Sequence, residues 1–332
     1  MADVAKAAGV SHQTVSRVLN AHPNVSPATK EQVEKAIADL GYRRNTAARS
    51  LVTRQSQTIG VLASELTQYG PANTLLGVEQ AAREAGYFVS IAALRTEVSA
   101  ATINDALGRF MDQGVDGVVV VVPHPGTLDV LRGLSVDVPL VAVGASGDEW
   151  FKGVAVDQHQ GGRLAVEHLL ELGHRRIGHL SGPADWIDAT SRIEAWRDAL
   201  AAAGLGESVL MEGDWSAESG YRAGLRLAGR RPAGELDCTA LFVANDQMAL
   251  GVLRAFYEAG ISVPGDVSIV GYDDQPDAPY LIPPLTTVTQ HFEELGRRCI
   301  NALLEAFEGA GVRAGVVEPE LVVRSTTAPP AG

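Results

Sequence analysis

From residue 58 onward, short apolar runs alternate with segments whose apolar positions recur every three or four residues. The runs at 59–63, 88–92, 117–122, 140–143, 177–180, 240–244 and 268–271 read as strands. The segments 73–85, 102–113, 128–133, 159–172, 191–203, 219–227 and 247–258 read as amphipathic helices. The run GVVVVV over 117–122 has no in–out alternation, as expected of a parallel strand covered on both faces. Repeated strand–helix alternation predicts an α/β fold with an open parallel sheet, and about 270 residues is material for two such lobes. Ligands of open α/β sheets bind at strand carboxyl ends, so residues just after each apolar run become candidates.

The first 56 residues follow another rhythm. A helix over 3–8 is followed by Gly9 in the turn and Val10 in the corner, and Ser11 is placed to cap a second helix over 12–19. Val15, Val18 and Leu19 form one buried face of that helix. Gln13, Ser16 and Arg17 project from its other sides, with His12 at the tip. Ser26-Pro27 opens a third helix, with Val33, Ile37 and Leu40 facing inward and Gly41 closing it. Two short helices across a Gly-containing turn are the pattern of a helix-turn-helix DNA reader. Residues 46–52 suit a further helix capped by Asn45, too short to persist alone in water, and 53–56 form a polar linker.

Charge sharpens this division. The 332-residue chain carries −13 overall, which by itself argues against a nucleic-acid partner. Residues 1–56, however, hold eight Lys/Arg against four acids, a net of +4 that leaves −17 on the remainder. A basic head on an acidic body is expected when only the head meets phosphate. Cys238 and Cys299 lie far apart without metal-site spacing, which favours free thiols over a disulfide or a zinc site. No apolar run approaches the ~18 residues of a membrane span or forms a signal core, so the expectation is a cytoplasmic protein with no membrane partner and no cofactor.

The candidate chemistry is recognition rather than catalysis. Gln pairs with an adenine edge and Arg with a guanine edge, and Gln13 and Arg17 stand one helical turn apart. In the body, Asn245 and Asp273 each follow an apolar run, and Arg192 falls at the start of a helix after the 177–180 strand. An acceptor, a mixed amide and a forked donor suit the adjacent hydroxyls of a neutral sugar. Asp273 and Asp274 are a poor glycosidase pair, because neighbours at a strand end point apart instead of facing across a scissile bond. Neither a nucleophile–base arrangement nor a phosphate loop is present, and an enzyme is not expected.

The stretches DVAKAAGVSHQTVSRVLN (3–20) and VSPATKEQVEKAIADLGYRRN (25–45) resemble the head of the lactose-repressor family of bacterial transcription regulators. The resemblance continues through EHLLELGHRRIGHLSGP (167–183), GDWSAESGY (213–221), VANDQMALG (243–251), VSIVGYDD (267–274) and PPLTTVTQ (283–290), and so spans the chain. It implies a helix-turn-helix head over 1–44 and a hinge helix and linker over 45–57. A two-lobed, periplasmic-binding-protein-like core with parallel sheets then occupies 58–332. Lobe one would comprise about 58–156 and 290–317, and lobe two about 157–288 and 318–328. The resemblance assigns DNA contacts to His12, Gln13, Thr14, Ser16 and Arg17, and to Asn45, Ala48 and Leu51 of the hinge, with Leu51 as an apolar wedge in the minor groove. It assigns effector contacts to Ser64, Pro71, Asp188, Arg192, Trp215, Asn245, Asp273, Gln290 and Phe292.

Some positions depart from the member that gives the family its name. His12 replaces a tyrosine, which implies a different operator. Val121 and Gly144 replace polar groups of the pocket, Gln68 and Tyr69 differ, and Trp150 and Trp186 are additional aromatics. A hollowed wall and extra aromatic platforms point to another glycoside, such as a larger β-linked one. The sequence has no trailing leucine heptad, so the expected assembly is a homodimer on palindromic double-stranded operator DNA. The expected function is repression relieved by a small saccharide. A corepressor-dependent regulator, or a sugar-binding protein that does not bind DNA, are the alternatives.

Overall fold

The structure, a computed structural model, describes residues 1–19, 22–42, 55–94, 99–121, 123–133, 136–144, 153–229, 236–312 and 315–331. The expected hinge helix, with Asn45, Ala48 and Leu51, lies outside the described residues, as does Trp150. The chain divides into two compact units, Met1–Ser56 and Gln57–Gly332.

The first unit holds α1 (Ala2–Ala7), α2 (His12–Leu19) and α3 (Pro27–Asp39). Gly9 makes the first turn in the left-handed region at φ +62°. The Ser11 hydroxyl accepts from the Thr14 amide at 3.1 Å, and Ser26 does the same for Thr29 at 3.2 Å with Pro27 at the first helical position. Val4, Ala5, Ala8, Val15, Val18, Val33 and Ala36 form the small core, with Leu19 and Ile37 packed against it. Leu40 was expected inside, but it is 49% exposed. It stands at the C-cap, where Gly41 turns the chain at φ +56° and Tyr42, not Leu40, returns to the core, its amide bonding to the Ile37 carbonyl at 3.0 Å.

The second unit is built on two sheets. The first contains β1 (Thr58–Ser64), β2 (Phe88–Leu94), β3 (Gly117–Val121), β4 (Leu140–Val143), β5 (Val154–Val156) and β11 (Gly315–Val317). Its order is β11-β5-β4-β3-β1-β2 and every pairing is parallel, with Val61 beside Ile91 on one flank and Val119 on the other. Val119 and Val121 pack on one face with Leu295, Cys299 and Ile300 of α11 (Phe292–Phe307). Val118 and Val120 pack on the other with Ile103 and Phe110 of α5 (Ala100–Gln113) and Leu128 of α6 (Pro125–Arg132). Helices on both sides are why this strand is apolar at every position. The remaining helix of this lobe, α4 (Tyr69–Glu84), lies against α11.

The second sheet contains β6 (Ile177–Ser181), β7 (Leu210–Glu212), β8 (Ala240–Val243), β9 (Ser268–Asp273), β10 (Thr286–Thr289) and β12 (Glu320–Val322), in the order β12-β10-β9-β8-β6-β7. Only β12 among the described strands runs antiparallel to its neighbour. Its helices are α7 (Gln158–Glu171), α8 (Ile187–Ala202), α9 (Ala217–Gly229) and α10 (Asp246–Glu258). The chain passes between the sheets after β5, after β10, and between β11 and β12.

Two boundaries shift the candidate site. Helix α8 begins at Ile187, so Arg192 lies in its second turn and not at its start. The cause is tertiary: the Ile187 amide donates to the Pro123 carbonyl of the other lobe at 2.9 Å, which satisfies a helix-end donor that no side chain caps. One turn beyond Arg192, the fully buried Trp196 indole donates to the Ile177 carbonyl at 3.1 Å and pins α8 to β6. Trp196→Ala should therefore cost about 3–5 kcal/mol in urea denaturation of the full chain, with Trp196→Phe clearly milder. Equal losses from the two substitutions would show that packing volume is not what holds α8.

Candidate effector cleft and DNA-reading face

The carboxyl ends of both sheets open into one cleft. Its lobe-one end, about 920 Å³ counting the open mouth, is walled by Val121, Val143, Gly144, Val156, Phe292 and Leu295, with Trp186 and Asp188 opposite. An adjoining pocket of about 330 Å³ is lined by Asp188, Arg192, Trp215, Asn245, Asp273 and Gln290, together with Gln68, Tyr69 and Pro71. The cleft therefore has an apolar end and a polar end, and Pro71, Trp186, Asp188 and Gln290 belong to both.

At the polar end Arg192 is 3% exposed, so it is no surface ion-pair residue. Its guanidinium stacks on the Tyr272 ring, 3.6 Å from the centroid, and Nη1 donates to the Ala244 carbonyl at 2.6 Å. Nε and Nη2 both donate to Gln158 Oε1, at 3.0 and 2.7 Å, and Asp188 lies 3.8 Å from Nη2. Gln158 Nε2 donates to Gln290 Oε1 at 2.8 Å, and Gln290 Nε2 donates to Asp273 Oδ1 at 2.6 Å. Burial raises Asp273 to about 6, with Arg192 and the Gln290 amide pulling the other way. Burial likewise lifts Asp188 against the pull of Arg192, and lifts the Tyr69 hydroxyl to about 12, helped by Asp273, which keeps that hydroxyl a donor. Asp274 is instead in an ion pair with Arg324 at 2.6 Å, so the two adjacent carboxylates have separate partners.

Asn245 has a structural task here. Its Oδ1 accepts from the Met248 amide at 2.8 Å, capping α10, and its Nδ2 donates to the Trp215 carbonyl at 3.0 Å. That second bond fixes a strained residue, because Trp215 sits at φ +70°, and Asp273 at φ +111° is strained as well. Left-handed backbone at two bulky or charged residues, each costing of order 1–3 kcal/mol, is the kind of strain that collects at functional sites. The Trp215 indole lies directly on Gly182, just past the end of β6, where any Cβ would collide with the ring. The Trp215 indole nitrogen is buried and makes no hydrogen bond among the described residues.

The cleft is also fastened at its rim. His124, ahead of α6 in lobe one, reaches the Asp185 carbonyl oxygen of lobe two through Nδ1 at 3.0 Å. The His124 ring meets Trp186 edge-on at 5.2 Å, and Trp186 in turn meets Trp215 at 5.3 Å and 66°.

Of the effector residues expected from sequence, the structure gathers Pro71, Asp188, Arg192, Trp215, Asn245, Asp273, Gln290 and Phe292 around the two pockets. Ser64 is buried at the carboxyl end of β1 but lines neither pocket. Gln158 and Tyr272 were not anticipated. Gln158 follows β5, a three-residue strand with no run long enough to stand out, so the strand-end criterion was never applied to it. In the head, His12, Gln13 and Arg17 are exposed on α2, with Thr14 and Ser16 half-buried beside them. A polar helix face is thus free while Val15 and Val18 hold the helix to its core.

Among the described residues no helix is long and apolar enough to cross a membrane, and no group of three or more His, Cys, Asp or Glu is placed to hold a metal. A helix-turn-helix head with an exposed polar helix, followed by a two-lobed α/β core around a polar cleft, defines a DNA-binding regulator with an effector-binding core. The family described as "Bacterial regulatory proteins, lacI family" matches residues 1–45, and the "Periplasmic binding protein-like domain" matches residues 166–327. The lactose operon repressor of Escherichia coli (strain K12) is 37% identical over 335 residues, 99% of this chain and 90% of that protein. The HTH-type transcriptional regulator CelR of Thermobifida fusca is 37% identical over 346 residues, 97% of this chain and 96% of that one. The crystal structure of the lac repressor dimer bound to operator and the anti-inducer ONPF superposes with a TM-score of 0.86 at 34% identity, covering 98% of each chain. The complex of the transcriptional regulator CelR with cellobiose gives 0.72 at 34% identity, again covering 98% of each. The chain belongs to the lactose-repressor family of bacterial transcription regulators, whose members are not enzymes.

The raised Asp273 pKa has a stability consequence. A carboxyl lifted from its usual value near 3.9 to about 6 favours the folded state while protonated, and this contribution is lost as pH rises from about 4 to 6. The unfolding free energy of the full chain, taken relative to Asp273→Asn, should fall by about 2–3 kcal/mol between pH 4 and 7. A difference independent of pH would mean that Asp273 is not desolvated in the way the structure shows.

Proposed function

We propose that this regulator represses transcription as a dimer on a palindromic operator and is released by a β-linked disaccharide held in the interlobe cleft. The carrying observation is the form of the cleft. A polar end with Arg192, Asp273 and Gln290 runs on into an apolar end, and two tryptophans stand nearly at right angles where the ends meet. Hydroxyls of one ring suit the forked donor and the carboxylate, while the apolar face of a second ring suits Trp186. The unpartnered Trp215 indole N–H supplies a further donor for a sugar oxygen. The bound cellobiose of the Thermobifida fusca relative, and the lactose operon of the Escherichia coli one, are consistent with this class of ligand.

The dimer reading is supported by large apolar side chains left in solvent. In lobe two these include Tyr257 on α10, Tyr280 and Ile282; in lobe one they include Leu76 on α4 and Phe88 and Ile91 on the edge strand β2. Two copies would place two α2 helices on the two halves of a palindrome. We assign His12, Gln13, Thr14, Ser16 and Arg17 to the major groove and the hinge residues Asn45, Ala48 and Leu51 to the minor groove.

The test is a thermal-shift panel of mono- and disaccharides on the full chain, followed by operator release measured by fluorescence anisotropy. A β-linked glucosyl or galactosyl disaccharide should raise Tm and release operator more effectively than any monosaccharide. If no saccharide shifts Tm, the effector assignment fails; if the bound sugar tightens operator binding, the protein is a corepressor-dependent regulator instead. Arg192→Ala should hold operator yet ignore the sugar, and full release by this variant would remove Arg192 from the effector site. Gln13→Ala should weaken operator binding by ~1–3 kcal/mol and leave non-specific DNA binding intact. Equal loss on both DNAs would make Gln13 a non-specific contact.

A further inference from the structure

We propose that Gln158 is an internal occupant of the effector seat: its carboxamide fills the fork of Arg192 until the effector displaces it. This rests on the saccharide reading above and adds a residue to it. Three of the donors of Arg192 are directed within the protein. Nη1 is held by a backbone carbonyl and one face of the guanidinium is covered by the buried Tyr272 ring. The Nε–Nη2 edge is one that grips paired oxygens, and Gln158 Oε1 sits across both of its nitrogens. Asp273 is occupied in the same manner, since Gln290 Nε2 already donates to its Oδ1. A ligand hydroxyl pair can grip this edge only by taking Gln158 off it.

Where these two glutamines stand makes the exchange more than local. Gln158 is the first residue of α7, two positions past β5, and Gln290 lies between β10 and α11. Each is at a passage of the chain from one sheet to the other, and their mutual hydrogen bond of 2.8 Å ties the two passages together. An effector that displaces Gln158 breaks that tie between two of the passages that join the lobes. Binding at the seat is thereby converted into freedom at the crossovers.

The sign of the mutational effect separates this role from an ordinary ligand contact. The full chain is titrated with cellobiose and with lactose by calorimetry, using Gln158→Ala and Gln158→Glu beside the wild type. Removing the occupant should tighten sugar binding, by about tenfold for Gln158→Ala. A carboxylate at 158 pairs with Arg192 more strongly, so Gln158→Glu should weaken sugar binding by a similar factor. The order Ala, then wild type, then Glu is expected, with the fold of both variants verified by their melting. In Gln158→Ala, saturating sugar should also change operator affinity by a smaller factor than in the wild type, because the tie it would break is already absent. Weaker sugar binding in Gln158→Ala, or unchanged affinity in both variants, overturns the proposal. If neither sugar binds the wild type, it is the saccharide reading that fails, and hydrogen exchange on the ligand-free chain then decides. Gln158→Ala should speed exchange of the amides around both 158 and 290; unchanged exchange around 290 overturns the tie between the crossovers.

Discussion

A guanidinium buried to 3% exposure, that of Arg192, is the constraint around which the core of this protein is arranged. Such a group is tolerated only where its face and its donors are all met, and each partner comes from a different part of the chain. Tyr272 rises from β9, Ala244 follows β8, Gln158 opens α7, and Asp188 lies one turn earlier on α8. Trp196, fastened to β6, sets the height of α8 so that these partners converge. Removing any of them would leave a buried charge short of a partner, so the same packing that folds lobe two also fixes the cleft.

The two carboxylates at the end of β9 show how finely position alone divides chemistry. Asp273 enters the cleft, is desolvated, and titrates near 6. Its neighbour Asp274 reaches Arg324 beside β12. The backbone is at positive φ at both residues, +111° and +49°, where β9 ends. Strain at Trp215 is held by the Asn245 cap and by the bare surface of Gly182. The cleft is thus pre-shaped by backbone that would relax elsewhere if its neighbours allowed.

Much of this was readable in the amino-acid sequence where one element decides its own structure. Helix α2 and strand β4 coincide with their expected limits, because caps and uninterrupted apolar runs are local signals. The gathering of Arg192, Trp215, Asn245 and Asp273 followed from their matched segments and the strand-end criterion. What escaped was set from outside the element. The start of α8 depends on a carbonyl in the other lobe, and the exposure of Leu40 depends on Tyr42 taking its place. Strands of three residues, such as β5 and β11, are too short to stand out as apolar runs and are defined by pairing with their neighbours, which also hides Gln158. Helix α11 was missed although Leu295, Cys299, Ile300 and Leu303 mark one face, since it belongs to a lobe whose other helices lie more than a hundred residues earlier.

The rim contact of His124 with Asp185 and Trp186 lies on lobe segments away from the crossovers, so the cleft is secured at its mouth as well as at its back. Where such a contact spans the mouth, part of the exchange of a ligand with solvent passes through its opening. Arrival and departure of a ligand are then governed by how often the rim parts, and both slow together while the equilibrium affinity stays where the cleft chemistry sets it. For a genetic switch that is a form of memory. Once filled, such a protein responds to the effector present over the lifetime of its bound state and disregards fluctuations that are briefer.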